Sequence, residues 1–86
     1  MNNINEKIGN KLSNPKEIIF KLLSEDNGYN IYYAIPYGSI KLGNEKTIMF
    51  VFKDDEIVYV PKYVNSQFKM KQACDDFIEK ELENVR

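Results

Sequence analysis

Chemistry at neutral pH needs a nucleophile, a base or a metal ligand, and this chain offers few of them. Cys74 is its one thiol, and it has no histidine, so the usual general base is missing. A cysteine acts as a nucleophile beside a base in a polar cleft. Cys74 instead shares an apolar stripe with Met70, Ala73, Phe77 and Ile78, which is the place of a buried filler. A single thiol forms no disulfide within the chain, and zinc sites built from Cys and His are excluded with it. Asp54, Asp55 and Glu56 lack the alternating ligands and glycine of a calcium loop and read as a solvated turn. Asp75 and Asp76 are adjacent on a helical pattern and point in different directions, so they make no carboxylate dyad. Gly38 and Gly43 stand outside any strand, glycine loop and helix with a following lysine, the arrangement that cradles phosphate. The expectation is a chain that is not an enzyme and uses no cofactor and no metal.

Recognition is better supplied. Tyr29, Tyr32, Tyr33, Tyr37, Tyr59 and Tyr63 fall in or beside apolar stretches, with Lys41 and Lys62 among them in sequence. Tyrosine offers a large rigid contact area with a polar tip, which suits interfaces, and it also stacks on bases. Some of these rings complete a small core. Those on a sheet face turned away from the helices form the expected binding surface, with Tyr32, Tyr37, Tyr59 and Tyr63 as its protein contacts.

The elements that must position these residues follow from periodicity. Ile4, Ile8 and Leu12 lie four apart, but Gly9 and several asparagines weaken a helix there. Residues 1–13 are therefore expected to be an N-terminal arm or frayed helix, and 14–86 a single domain. Asn14, Pro15 and Glu17 supply helix-start signals, Ile18, Ile19, Leu22 and Leu23 an apolar stripe, and Asp26-Asn27-Gly28 a stop. This predicts a helix over about 15–25. Alternation over 29–35 predicts a strand closed by Pro36. The stretch 37–46 reads as a long loop, with Ile40 and Leu42 able to form a brief extra strand. Residues 47–52 predict a strand apolar on both faces and so central in its sheet. Residues 53–56 read as a hairpin turn and 57–60 as the returning strand, ended by Pro61. Met70, Ala73, Cys74, Phe77, Ile78 and Leu82 recur in steps of three and four, which predicts an amphipathic helix over about 66–84. The expected fold is α+β, an αβββα arrangement with a three-stranded antiparallel sheet and two helices packed on one face.

The totals bound the rest. Eighty-six residues fit one domain with one modest core. Twelve basic and thirteen acidic residues are evenly mixed, so no basic arm marks the chain for nucleic acid or an anionic membrane. No apolar run exceeds five residues, and the polar, asparagine-rich start does not read as a signal peptide. The expected compartment is the cytoplasm. The apolar strand over 47–52 also suits a homodimer, because a small domain gains core by sharing one.

Over about residues 15 to 82, the order helix, strand, strand, strand, helix resembles the double-stranded-RNA-binding domain. Pro15-Lys16 and the stretch after it are similar to that family's first helix. Phe68-Lys69-Met70-Lys71-Gln72-Ala73 is similar to the basic start of its last helix, whose lysines grip phosphates across the groove. The resemblance implies Lys16, Lys69 and Lys71 as nucleic-acid contacts. The chain departs from the family where Met70 separates the two lysines and where Cys74, Asp75 and Asp76 follow Ala73. It also carries Pro36-Tyr37-Gly38-Ser39 where the family has Gly-Pro-x-His. Phosphate recognition needs clustered cations, and these departures thin them. The expected function is therefore a small non-catalytic protein-binding module, in the style of a phage-type inhibitor or adaptor acting on a larger host machine such as a defence system. Binding of double-stranded RNA is the alternative.

Overall fold

The computed structural model describes residues 8, 19–35 and 40–84. Over them the chain forms β1 (Ile19–Asp26), β2 (Tyr29–Ile35), β3 (Ile40–Leu42), β4 (Glu45–Thr47), β5 (Met49–Lys53), β6 (Glu56–Tyr59) and α1 (Gln67–Asn84). β1, β2, β5 and β6 make a four-stranded antiparallel sheet in the order β1-β2-β5-β6. β3 and β4 make a separate antiparallel hairpin.

This corrects the expected αβββα architecture. The fold is α+β, but the main sheet has four strands rather than three. α1 is the one helix whose span the described residues contain, so two helices on one face are not what packs the sheet. The predicted helix over 15–25 gives way to strand β1 from Ile19 onward, while 15–18 lie outside the described residues. The turn explains the change. Asn27 and Gly28 both take positive φ, 53° and 87°, and Asp26 pairs with Tyr29 across them. That is a two-residue type I′ hairpin, whose twist matches paired strands. Asn-Gly ends a helix as readily as it turns a hairpin. Here the strand that follows is long enough to take β1 as its partner.

β1 hides its own period. Its register with β2 shifts between Leu22 and Ser24, which leaves Leu23 as the extra residue of a bulge. The bulge interrupts alternation, and the apolar pairs on either side of Phe20-Lys21 then imitate a helical stripe.

The sheet is covered on both faces. On one face Phe20, Tyr32, Ala34, Phe50 and Phe52 pack with Ile40 of β3 and with Ile8. On the other, Tyr29, Ile31, Met49 and Val51 pack with Met70, Cys74 and Ile78 of α1. β5 therefore has a buried face on each side, as its unbroken apolar run predicts, and it lies between β2 and β6. Each fully buried large side chain here is worth roughly 1.5–3 kcal/mol of transfer free energy. Ile8, the described residue of the 1–13 stretch, is fully buried.

The predicted strand over 47–52 divides at Ile48. Thr47 ends the small hairpin and Met49 starts β5. The buried Thr47 hydroxyl spans the bend, donating to the Met49 carbonyl at 2.6 Å and accepting from its N–H at 3.0 Å. The turn at Asp54-Asp55 is a second two-residue hairpin with positive φ at both positions, as the polar stretch over 53–56 predicts. α1 begins where its sequence signals place it. Ser66 caps it, its hydroxyl accepting the Lys69 N–H at 3.2 Å. No helix among the described residues is long and apolar enough to cross a membrane.

Candidate functional site

The tyrosines divide between the two packed layers. Tyr32 lies on the face away from α1, but that face is filled by the β3–β4 hairpin and Ile8. Its ring is 6% exposed, stacked on Phe50 at 6.0 Å and edge-on to Phe52 at 6.1 Å. The structure thus places the predicted contact Tyr32 in the core. Tyr37 lies outside the described residues. Tyr59 and Tyr63 are half-buried at the margin of the helix-side core. Tyr59 stacks on Phe77 with centroids 4.5 Å apart, and Tyr29 meets the same Phe77 edge-on at 6.4 Å. Burial raises the Tyr59 pKa, with the neighbouring Cys74 and Asp76 adding to the effect. The Lys46 ammonium sits 4.5 Å over the Tyr63 ring, a cation–π contact.

The predicted nucleic-acid contacts do not gather. Lys16 lies outside the described residues. Lys69 and Lys71 are two apart on α1, flanking buried Met70, so they project from different sides of the helix. Lys69 is exposed. Lys71 is engaged with Asp75 one turn on, at 2.8 Å. Farther along, Asp26, Asp75, Glu79 and Glu83 ring a shallow groove floored by Ile78 and Leu82. A polyphosphate backbone approaching this side of α1 meets carboxylates.

Cys74 is fully buried, and desolvation pushes its thiol up to about 12, with Asp75 adding to the rise and Lys71 opposing it. The thiol stays protonated at neutral pH and is a poor nucleophile there. Lys53 spans its own hairpin end, paired with Asp54 at 3.1 Å and lying 5.0 Å over the Tyr29 ring. Among the described residues no group of three or more His, Cys, Asp or Glu side chains is placed to hold a metal ion.

The surface that stands out was not among the predicted contacts. Phe68, in the first turn of α1, is 76% exposed. With Leu23, Gln67 and Lys71 it lines an open, mainly apolar depression of about 390 Å³ between α1 and β1. Ile19 and Leu22 on β1 are 57% and 54% exposed. The one sequence signal that leads here is Asn27-Gly28. Read as a hairpin, it makes 19–26 an edge strand and brings Leu23 beside the start of α1.

Comparison with known proteins found no matching family model, no matching curated protein and no matching solved structure.

Proposed function

We propose that this chain is a small non-catalytic protein-binding module of the cytoplasm, an inhibitor or adaptor that acts by occupying a larger protein. The observation that carries the reading is the apolar depression of Leu23, Gln67, Phe68 and Lys71, with Phe68 projecting from it. An isolated exposed apolar residue is ordinary, but a large aromatic beside a concave apolar surface is the form of an interface anchor. The predicted tyrosine contacts contribute unequally: Tyr59 and Tyr63 keep part of their surface in solvent, and Tyr32 does not. A single buried cysteine suits a reducing compartment.

The test is capture from cell extract by the immobilised full chain. A stoichiometric protein retained by the wild type, lost with Phe68→Ser and kept with a control change at Glu56 supports the reading. Retention of no stoichiometric protein, or retention indifferent to Phe68→Ser, overturns it.

A further inference from the structure

Two depressions lie end to end along the side of α1 that faces β1. At the start of the helix, Leu23 of β1 and Gln67, Phe68 and Lys71 of α1 line the apolar one. Farther along both elements, Asp26 of β1 and Asp75, Ile78, Glu79, Leu82 and Glu83 of α1 line the other, of about 490 Å³. The Lys71–Asp75 pair, at 2.8 Å, marks the divide between them. β1 and α1 are thus the two walls of one trough. It is apolar at one end and acidic, over an apolar floor, at the other.

The acidic end holds more negative charge than the fold neutralises. Asp75, Glu79 and Glu83 follow at steps of four on α1, so like charges stack along one helical row, which opposes the helix. Lys71 answers Asp75. Among the described residues no cation pairs with Glu79 or Glu83, and both are exposed. The last turn of α1 has no basic residue, so the partial negative charge of the helix end adds to the carboxylates. These carboxylates are spread along the trough, and among the described residues no three acidic, Cys or His side chains gather to hold one metal ion. The arrangement suits several separated cations on one ligand.

We propose that the trough takes a segment of a partner protein with a large apolar side chain at one end and lysines or arginines at the other. The apolar end seats beside Phe68 and Leu23, and the cations lie among Glu79, Glu83 and Asp26. Charge complementarity selects this occupant, because the carboxylates repel an acidic segment, a nucleic acid and an anionic membrane alike. The long stems of lysine and arginine also cover the Ile78 and Leu82 floor while their charged ends reach the rim. Phe68 and Glu83 are 15 residues apart on α1, about 22 Å of helix. An extended segment of about seven residues covers that length. This occupant presupposes the protein-binding reading of the Phe68 depression, whose partner chemistry it specifies.

Fluorescence anisotropy of labelled synthetic peptides against the full chain tests it. The probes carry leucine and phenylalanine in one half and lysine and arginine in the other, in both orders, beside counterparts with glutamate at every cation. A cationic probe is expected to bind about tenfold or more tighter than its glutamate counterpart, and to weaken as salt rises. Glu79→Lys combined with Glu83→Lys, and separately Phe68→Ser, are each expected to weaken it by about tenfold or more while the fold is kept by circular dichroism. Glu56→Lys, on the far hairpin, is expected to leave binding unchanged. Failure of both cationic probes to bind overturns the proposal, as does equal binding of the glutamate counterparts. So does binding indifferent either to the paired glutamate change or to Phe68→Ser. In the extract assay, capture lost with Phe68→Ser but unchanged by the paired glutamate change overturns the basic occupant and leaves the Phe68 reading standing. Capture indifferent to Phe68→Ser removes both.

Discussion

The Tyr59 ring lies parallel to the Phe77 ring, with centroids 4.5 Å apart and planes 7° apart. Tyr59 closes the last strand of the sheet, and Phe77 sits mid-way along α1. The contact spans 18 residues of sequence and fastens the helix across the sheet, with Tyr29 of β2 meeting the same ring edge-on. Aromatic pairs of this kind contribute about 0.5–1.5 kcal/mol beyond their buried area.

A double-mutant cycle on Tyr59→Ala and Phe77→Ala, read by urea denaturation, is expected to give a coupling of about 1 kcal/mol. Each single change is expected to destabilise the fold by roughly 2–3 kcal/mol, below the full aromatic-to-alanine range because both rings are half-buried. Tyr59→Phe keeps the stack and is expected to cost less than either. A coupling near zero means the stack does not hold α1.

The second prediction concerns alkaline pH. The Cys74 thiol titrates at about 12 in the folded chain, against an ordinary value of 9.0. Between those values the unfolded thiol loses its proton and the folded one keeps it, so unfolding releases a proton and stability falls as pH rises. Below pH 9 the contribution is fully present; it is lost as pH climbs toward about 12. Tyr59, also raised, adds in the same direction. The slope of stability against pH above 9 is expected to be shallower in Cys74→Ala than in the wild type. In the native chain at pH 8, a thiol reagent is expected to react no faster than the chain opens. Rapid stoichiometric modification of folded protein contradicts this.

Gly28 tests the hairpin that replaced the expected helix. Its φ of 87° lies where an L side chain is strained, although a Cβ there meets only the Lys53 ammonium, at 4.0 Å. The Gly28 N–H also donates to the Glu25 carboxylate at 2.8 Å. Gly28→Ala is therefore expected to destabilise the chain by about 1–2 kcal/mol through backbone strain, with little steric contribution. A neutral or stabilising Gly28→Ala, by thermal or chemical denaturation, argues that the turn is not type I′.

What the sequence disclosed, and what it concealed, follows from the same elements. α1 was legible because one face of it packs and the other is solvated, so Met70, Cys74 and Ile78 keep a helical period. β2 and β5 were legible from alternation and from an unbroken apolar run. β1 was not, because the Leu23 bulge breaks its period in mid-strand. The burial of Tyr32 was concealed for another reason. A strand's alternation shows that its residues divide between two faces, not that a hairpin formed from 40–47 folds over one of them. In the sequence Phe68 only heads a basic run; its significance depends on Leu23 lying beside it in the fold.

The duplex-RNA alternative makes its own prediction. Lys71 is tied to Asp75, and the adjacent side of α1 carries Glu79 and Glu83. Affinity for duplex RNA is expected to be weaker than about 100 μM at physiological salt, the weak end of non-specific binding. Fluorescence anisotropy at two salt concentrations checks it. Tighter binding that falls with both Lys69→Glu and Lys71→Glu revives the alternative.

The last prediction separates surface from core. Phe68 is 76% exposed, whereas Tyr32 is 6% exposed between Phe50 and Phe52. Phe68→Ser removes little packing, so stability is expected to change by no more than about 0.5 kcal/mol. Tyr32→Ala opens a cavity in the core and is expected to cost about 3–5 kcal/mol. If Phe68 anchors a partner in the depression with Leu23, the two variants dissociate stability from binding: Phe68→Ser folds like the wild type and loses capture. Tyr32→Phe keeps the ring, folds, and retains capture. Loss of capture in Tyr32→Phe with normal stability means that capture is not confined to the Phe68 depression. Calorimetric melting of the purified variants, run beside the capture assay, distinguishes these outcomes.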